Sequence, residues 1–289
     1  MQDLRQSIVD IGSSAATPHV SRWAALAEPY ERDGAVCVRQ AIDSTLLTRL
    51  QRATERVLAT PSHFGEAYGG EAGARSFRGD KFMWMRDPDF RALALDSDIP
   101  EIAAAAMNAT CVNLFYDHLL VKQPGSDVPT KWHSDQNYWP VDGRQICSIW
   151  IALDPVDQSN GRVSFVRGSH RWPQRFQPMD FTCMAPVPDP DYEPVPDIDG
   201  NAGDYEILAW DLQPGDCVVF SGLCLHGAPG NETMRLRRAV SVRYTGDDVR
   251  FSVKRKSISF PRDPGLRHGD VLGGDLFPIA FDSRRPTTD

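Results

Sequence analysis

His133 and Asp135 stand two residues apart in the stretch TKWHSDQNYWP, residues 130–140. On an extended strand, positions i and i+2 point to the same face. A His and an Asp on one face make either an ordinary polar edge or half of a metal site. The motif alone is weak, and the chain shows this by holding a second copy, His268 and Asp270 in RHGD. That copy lies in DPGLRHGDVLGGD, which is Gly-rich, lacks a strand pattern and is followed by no further His. The first copy has better company. His226 ends the apolar run GDCVVFSGLCLHG, and in a rolled sheet a residue so far downstream can return to His133 and Asp135. Two neutral imidazoles and one carboxylate leave three positions of a metal open, an arrangement suited to non-haem Fe(II). Zinc, which takes four ligands or three plus water, is also accommodated.

An iron site that activates O2 needs electrons beyond those the metal gives. A 2-oxo acid can chelate through its keto oxygen and C1 carboxylate, leaving the last position for O2. Its far carboxylate then calls for an arginine, whose fork matches both oxygens. Arg237 follows His226 in GAPGNETMRLRRAVSVRY. As a strand, this stretch turns Arg235, Arg237, Ala239, Ser241 and Arg243 to one face and Arg238 to the other.

The elements that must position these residues fall into two groups. SRWAALAEPYERDG has a helical pattern that stops at Asp33-Gly34, and AVCVRQ reads as a short strand. DSTLLTRLQRATERVLAT places Leu46, Leu47, Leu50, Ala53 and Val57 on one face behind an Asp43 or Ser44 cap, which predicts an amphipathic helix. PSHFGEAYGGEAGARSFRGD is Gly-rich and reads as a loop, and DPDFRALALDSDIPEIAAAAMNA as helix broken near Pro100. After residue 111 come CVNLFYDHLLVKQ, QICSIWIALDPV, GRVSFVRGSH, DCVVFSGLCLHG and RRAVSVRYTGDD, short and rich in Val, Ile and aromatics, with turn signals between them. Such a series makes a sandwich or barrel. The expectation is one domain over 1–289, with a helical part at about 20–110 and a β core at about 111–260, an α+β layering.

With 41% hydrophobic and 24% charged residues, 289 residues are enough for a sizeable core. A net charge of -8 argues against a nucleic-acid partner and against anionic membranes. The six cysteines include no CxxC pair and read as buried thiols of a reducing compartment. MQDLRQSIVDIGSS is too polar for a signal peptide and no apolar run is long enough to span a bilayer, so a cytoplasmic protein is expected. One segment interrupts the strands: MAPVPDPDYEPVPDIDGNAGDYE, residues 184–206, either a solvated loop or a lid. As a lid, its Asp189, Asp191, Glu193, Asp197, Asp199, Asp204 and Glu206 would favour a cationic substrate.

The stretches WHSDQNYWP, SIWIALDPVDQSNGRVSFVRGSH, QPGDCVVFSGLCLHG and GNETMRLRRAVSVRYTGDD follow one another over roughly residues 115–248. Together they resemble the phytanoyl-CoA dioxygenase branch of the Fe(II)/2-oxoglutarate oxygenases, and EPYERDGAVCVRQAIDSTLLTRL resembles that family's N-terminal start. The resemblance implies a mainly β fold with flanking helices, built on a double-stranded β-helix, or jelly-roll, core. It implies His133, Asp135 and His226 as iron ligands and Arg237 as the anchor of the 2-oxoglutarate C5 carboxylate. By the same match Trp150 borders the co-substrate, with His118 facing it and Lys81 reaching it from the helical side. Where family members often carry Ser two residues after the second His, this chain has Ala228, so Ser241 is expected to supply that hydrogen bond. Halogenating relatives replace the ligand carboxylate with Gly or Ala; Asp135 argues against that reaction.

Gln136, Asn137, Tyr138 and Trp139 follow the ligand Asp directly and are either barrel-mouth packing or a wall for the substrate. His170 in the family's GSH turn reads as structural, His19 and His63 as surface residues and Trp132 as core. The activity implied is hydroxylation of an unactivated C–H bond in a small organic metabolite or natural-product scaffold, using O2 and releasing succinate and CO2. Desaturation, epimerisation or cyclisation at the same site is the alternative outcome. A zinc hydrolase or isomerase on a jelly roll is a second class. A ligand-binding jelly roll without catalysis is a third, with no reason to keep all of His133, Asp135, His226 and Arg237. The prime substrate and oligomeric state are not written in the sequence.

Overall fold

The computed structural model describes residues 8–9, 22–68, 76–181, 185–254 and 257–284. His19, Cys183 and, apart from Ile8–Val9, the leader expected over 1–20 lie outside those residues. Two sheets face each other. The larger runs in the order Ile8–Val9, Ala35–Val38, Cys217–Ser221, Ile146–Ala152, Arg237–Thr245, Cys111–Lys122, Phe77–Lys81, Glu66–Tyr68, with Ile279–Asp282 also paired to Cys111–Lys122. The smaller has the order Ile207–Ala209, Ser164–Val166, His226–Ala228, Thr130–His133. All neighbours are antiparallel except Ile8–Val9 against Cys37 and Val38. This is the double-stranded β-helix expected, mainly β with flanking helices.

The period-two alternation of the large sheet decides what faces inward. Val240, Val242 and Tyr244, with Leu119, Val121, Ile149 and Ile151, turn outward and pack under the helices. Trp150, Ala152 and Ala239 turn inward, against Phe165 and Leu208 of the small sheet. The helices cover the outer face. Ser44–Ala59 starts at Asp43, whose carboxylate accepts the Leu46 N–H (2.8 Å), and buries Leu46, Leu50, Ala53 and Val57. Ala27–Asp33 ends at Gly34 with φ 83, the left-handed cap that glycine supplies without strain.

Three expectations change. The region assigned to helices also gives Ala35–Val38, Glu66–Tyr68 and Phe77–Lys81 to the large sheet, so β structure begins well before residue 111. The break in the helical run falls at Asp96–Asp98, and Pro100 opens Ile99–Met107, where its missing N–H costs nothing. GDCVVFSGLCLHG is two strands in two sheets. The chain leaves the large sheet after Ser221, and a Cβ on Gly222 would stand 2.9 Å from the Trp139 ring, so this crossing requires glycine.

Asp117 ties the strand under the helices to the turn beyond Phe77–Lys81. Its Oδ2 accepts the Trp84 N–H (2.9 Å), while Oδ1 has no hydrogen-bond partner. Burial pushes its carboxyl up to about 7. The unfolded chain releases that proton near pH 3.9, roughly three units earlier. Between these values the folded state holds the extra proton, so stability falls as pH rises from about 4 to 7. Asp117→Asn is therefore expected to gain stability relative to wild type across that window, read by denaturant melts at pH 4.5 and 7.5. A gap between the two proteins that does not vary with pH would show that Asp117 is ionised in the fold.

Candidate active site

Thr130–His133 and His226–Ala228 are neighbours in the small sheet, and the register sets His133 directly opposite His226. The two rings lie 4.2 Å apart. Nδ1 of His133 donates to the Lys131 carbonyl (2.8 Å) and Nδ1 of His226 to the Cys224 carbonyl (3.0 Å). With the proton placed there, each ring offers a bare Nε2. Asp135 is not on the strand. The strand ends at His133, Ser134 stays extended, and Asp135 opens the short turn Asp135–Tyr138. Its Oδ1 lies 3.5 Å from His133 Nε2 and 4.0 Å from His226 Nε2. Among the described residues these three form the one such group able to hold a metal, all buried, with ligand atoms within 4.8 Å of one another.

The charge states suit a cation. Burial would raise the Asp135 carboxyl, but its close neighbours His133 and His226 and the Arg243 guanidinium outweigh it and hold it well below the usual range. Burial, with His133 adding to it, pushes His226 down to about 3, so it is neutral with its lone pair free at ordinary pH. Two imidazole nitrogens and a single carboxylate oxygen are the donor set of a 2-His-1-carboxylate iron site.

A cavity of about 270 Å³, with a mainly apolar lining, opens from this group. Arg237 forms part of its wall and is 2% exposed. Its Nε has no partner, its Nη1 reaches only the Leu120 carbonyl at 3.5 Å, and it lies 5.4 Å over the Trp150 ring. Burial lowers its pKa to about 10, so it is still a cation at pH 7. A buried guanidinium this poorly satisfied fits an absent carboxylate. Beside it the fully buried Lys122 donates from Nζ to the Val128 (3.0 Å) and Pro229 carbonyls. Gly161, at φ 97, lies beside this pair, and a Cβ there would crowd Lys122 Cδ (3.1 Å) and the Pro229 carbonyl (3.2 Å).

The other expected residues divide. Trp150, His118, Ser241, Lys81 and Tyr138 all line the cavity. The Ser241 hydroxyl is buried without a partner. His118 Nε2 meets the Tyr68 hydroxyl (2.6 Å), and burial lowers the imidazole pKa well below its usual value, so it accepts that bond as a neutral ring. Lys81 is held by both oxygens of Glu66 (2.9 Å each).

Gln136, Asn137 and Trp139 do not line the cavity. After Asp135, the tight turn faces only Tyr138 inward, where its hydroxyl donates to Asp135 Oδ1. Gln136 binds the Gly143 carbonyl (3.0 Å), and Asn137 the Ser134 hydroxyl (2.6 Å) and Phe176 carbonyl (2.7 Å). Trp139 is fully buried, with its Nε1 on the Tyr116 hydroxyl (2.8 Å). The acids proposed for a lid do not line the cavity either. Asp199 accepts from Trp132 Nε1 (2.8 Å), and Asp197 caps the Gly200 N–H (2.9 Å). Trp132 is thereby a half-buried support of the insertion, not core. The segment Pro178–Phe181 and Val187 reach the cavity instead. His170 bonds the Glu31 carbonyl (3.1 Å), as a structural residue would, and His63, His268 and Asp270 are exposed.

A family model, Phytanoyl-CoA dioxygenase (PhyH), matches residues 30–239, and the chain belongs to that family. It is 27% identical over 166 residues to the peroxisomal phytanoyl-CoA dioxygenase of Rattus norvegicus. That match covers 55% of this chain and about half, 48%, of the relative. Among solved structures it is similar to the non-heme alpha ketoglutarate dependent epimerase SnoN from nogalamycin biosynthesis, with TM-score 0.72, 24% identity, and 89% and 98% of the two chains covered. It is equally similar to the carbocyclase SnoK of the same biosynthesis, with TM-score 0.72, 24% identity and 93% and 100% coverage. No helix among the described residues is long and apolar enough to cross a membrane.

Metal binding gives a direct check on the three-ligand group. Under anaerobic conditions, Fe(II) or Co(II) at a hundredfold excess over Kd is expected to add about 2.7 kcal/mol of stability to wild type. His226→Ala should lose that gain while melting normally as the apoprotein. An unchanged gain in the variant would place the metal elsewhere.

Proposed function

We propose that the protein is an Fe(II)/2-oxoglutarate-dependent oxygenase that most often hydroxylates an unactivated C–H bond of a small organic metabolite or natural-product scaffold. One observation carries this reading: a buried, unsatisfied Arg237 shares a cavity with the His133, Asp135 and His226 group. His133, Asp135 and His226 would hold the iron, and Arg237 the far carboxylate of 2-oxoglutarate. The bound iron and co-substrate supply the oxidising power of O2, with 2-oxoglutarate leaving as succinate and CO2.

The chain's own part is positioning and exclusion of water. Arg237, backed by Trp150, fixes one end of the cavity by charge. Ser241 offers a free hydroxyl to the co-substrate on the same strand, and His118 and Lys81 border it. Phe77, Tyr138, Phe181 and Ile258 give the rest an apolar surface on which a carbon skeleton can lie. That lining, with the net charge of -8, supports a small-molecule partner over nucleic acid or membrane.

Desaturation, epimerisation or cyclisation would use the same residues, differing only in how the substrate radical is quenched; an epimerase and a carbocyclase stand among the similar structures. A zinc hydrolase draws no support, because it has no use for a desolvated arginine at the far end of the cavity.

The test is an anaerobic titration of apoprotein with Fe(II), then 2-oxoglutarate, followed through the visible charge-transfer band. The band is expected in wild type and not in His133→Ala. Arg237→Ala removes one partner of a buried charged pair and should cost about 2–5 kcal/mol of 2-oxoglutarate binding. Tight metal binding with no band in wild type would overturn the reading.

A further inference from the structure

Resting on that reading, we infer that Arg243 and Ser148 are positioning residues that confine Asp135 to one-oxygen ligation of the metal, keeping open the positions that co-substrate and O2 need. The two oxygens of Asp135 have different surroundings. Oδ1 faces both histidine Nε2 atoms and the Tyr138 hydroxyl. Oδ2 faces away, accepting from Ser148 Oγ (3.1 Å) with Arg243 Nη2 at 3.8 Å. Both partners come from one rung of the large sheet, because Ser148 and Arg243 are directly opposite across the strand pair.

Arg243 has few other attachments. It is 4% exposed, its Nε has no partner, and its Nη1 reaches the Ser241 carbonyl at 3.3 Å. Two aromatic faces hold its plane: Tyr116 at 4.5 Å and Trp139 at 5.7 Å. These rings are bonded to each other, which gives the buried Trp139 a purpose beyond packing. A carboxylate that binds a metal through both oxygens occupies two positions. Here the second oxygen is detained by a hydroxyl and a charge. Removing either frees it to turn onto the metal, in competition with the chelating 2-oxo acid.

The experiment uses full-length Ser148→Ala, Arg243→Met and Arg243→Lys with anaerobic Fe(II). It measures metal affinity, the 2-oxoglutarate Kd and the energy of the charge-transfer band. Ser148→Ala and Arg243→Met are expected to keep the metal within a few-fold, to weaken 2-oxoglutarate by about tenfold or more, and to shift the band. Arg243→Lys should recover part of both. A merely structural role would weaken metal and 2-oxoglutarate together without moving the band, and that result overturns the inference. So does a wild-type Kd and band in both truncations. If Arg243→Met fails to fold, Ser148→Ala decides alone. A wild type that binds metal but never shows the band overturns the co-substrate reading itself, and is told apart because no variant is needed to see it.

Discussion

A carboxylate at 2% exposure has to be matched by positive charge or give up its own. Asp135 sits in that position, between two imidazoles that are deprotonated at Nε2 and a guanidinium just beyond its outer oxygen. Only the guanidinium brings positive charge to it, since neutral histidines supply lone pairs and no charge. A divalent metal would add the further charge, with both nitrogens and the inner oxygen placed to hold it. Much of the surrounding structure maintains this geometry. Carbonyls two residues upstream fix each histidine tautomer, and antiparallel register keeps the two rings opposed.

A single strand then organises the cavity along its length. Arg237, Ser241 and Arg243 point inward from Arg237–Thr245 while Val240, Val242 and Tyr244 anchor it under the helices. Arg237 stands poorly satisfied at one end, and Arg243 lies beside the Asp135 carboxylate at the other. One-residue slippage of this strand would exchange Arg237 for Arg238, which is already committed to Asp154 outside the barrel (2.7 Å). The helices thus act on the chemistry indirectly, by fixing which face of that strand looks inward.

Most of this was legible because it depends on residue type and parity. The grouping of His133, Asp135 and His226 and the inward face of Arg237 were expected from residue type, strand parity and the family resemblance, although Asp135 itself sits in a turn just past the strand. What stayed hidden depended on local turns. The stretch after Asp135 read as mouth packing or a substrate wall as a whole, yet it curls, so that Tyr138 faces the cavity while Gln136, Asn137 and Trp139 face structure. Nothing in DQNYW marks that curl. The acids of the insertion were visible, but their capping and tryptophan partners were not, and those partners hold Asp197 and Asp199 away from the site. Lys122 and Ser148 were unreadable for another reason: each gains its role from a cross-strand neighbour more than a hundred or nearly a hundred residues away.

The central claim is that one cavity holds a metal at His133, Asp135 and His226 and a 2-oxo dicarboxylic acid between that metal and Arg237. The most direct measurement is a crystal structure of protein loaded anaerobically with Fe(II) and 2-oxoglutarate, with the metal placed by its anomalous signal. The expected result is iron bonded to the two Nε2 atoms and to Oδ1 alone, the keto acid chelating it, and the distal carboxylate paired with Arg237. A metal bound elsewhere, or a filled metal site with 2-oxoglutarate absent from Arg237 at saturating concentration, would contradict it.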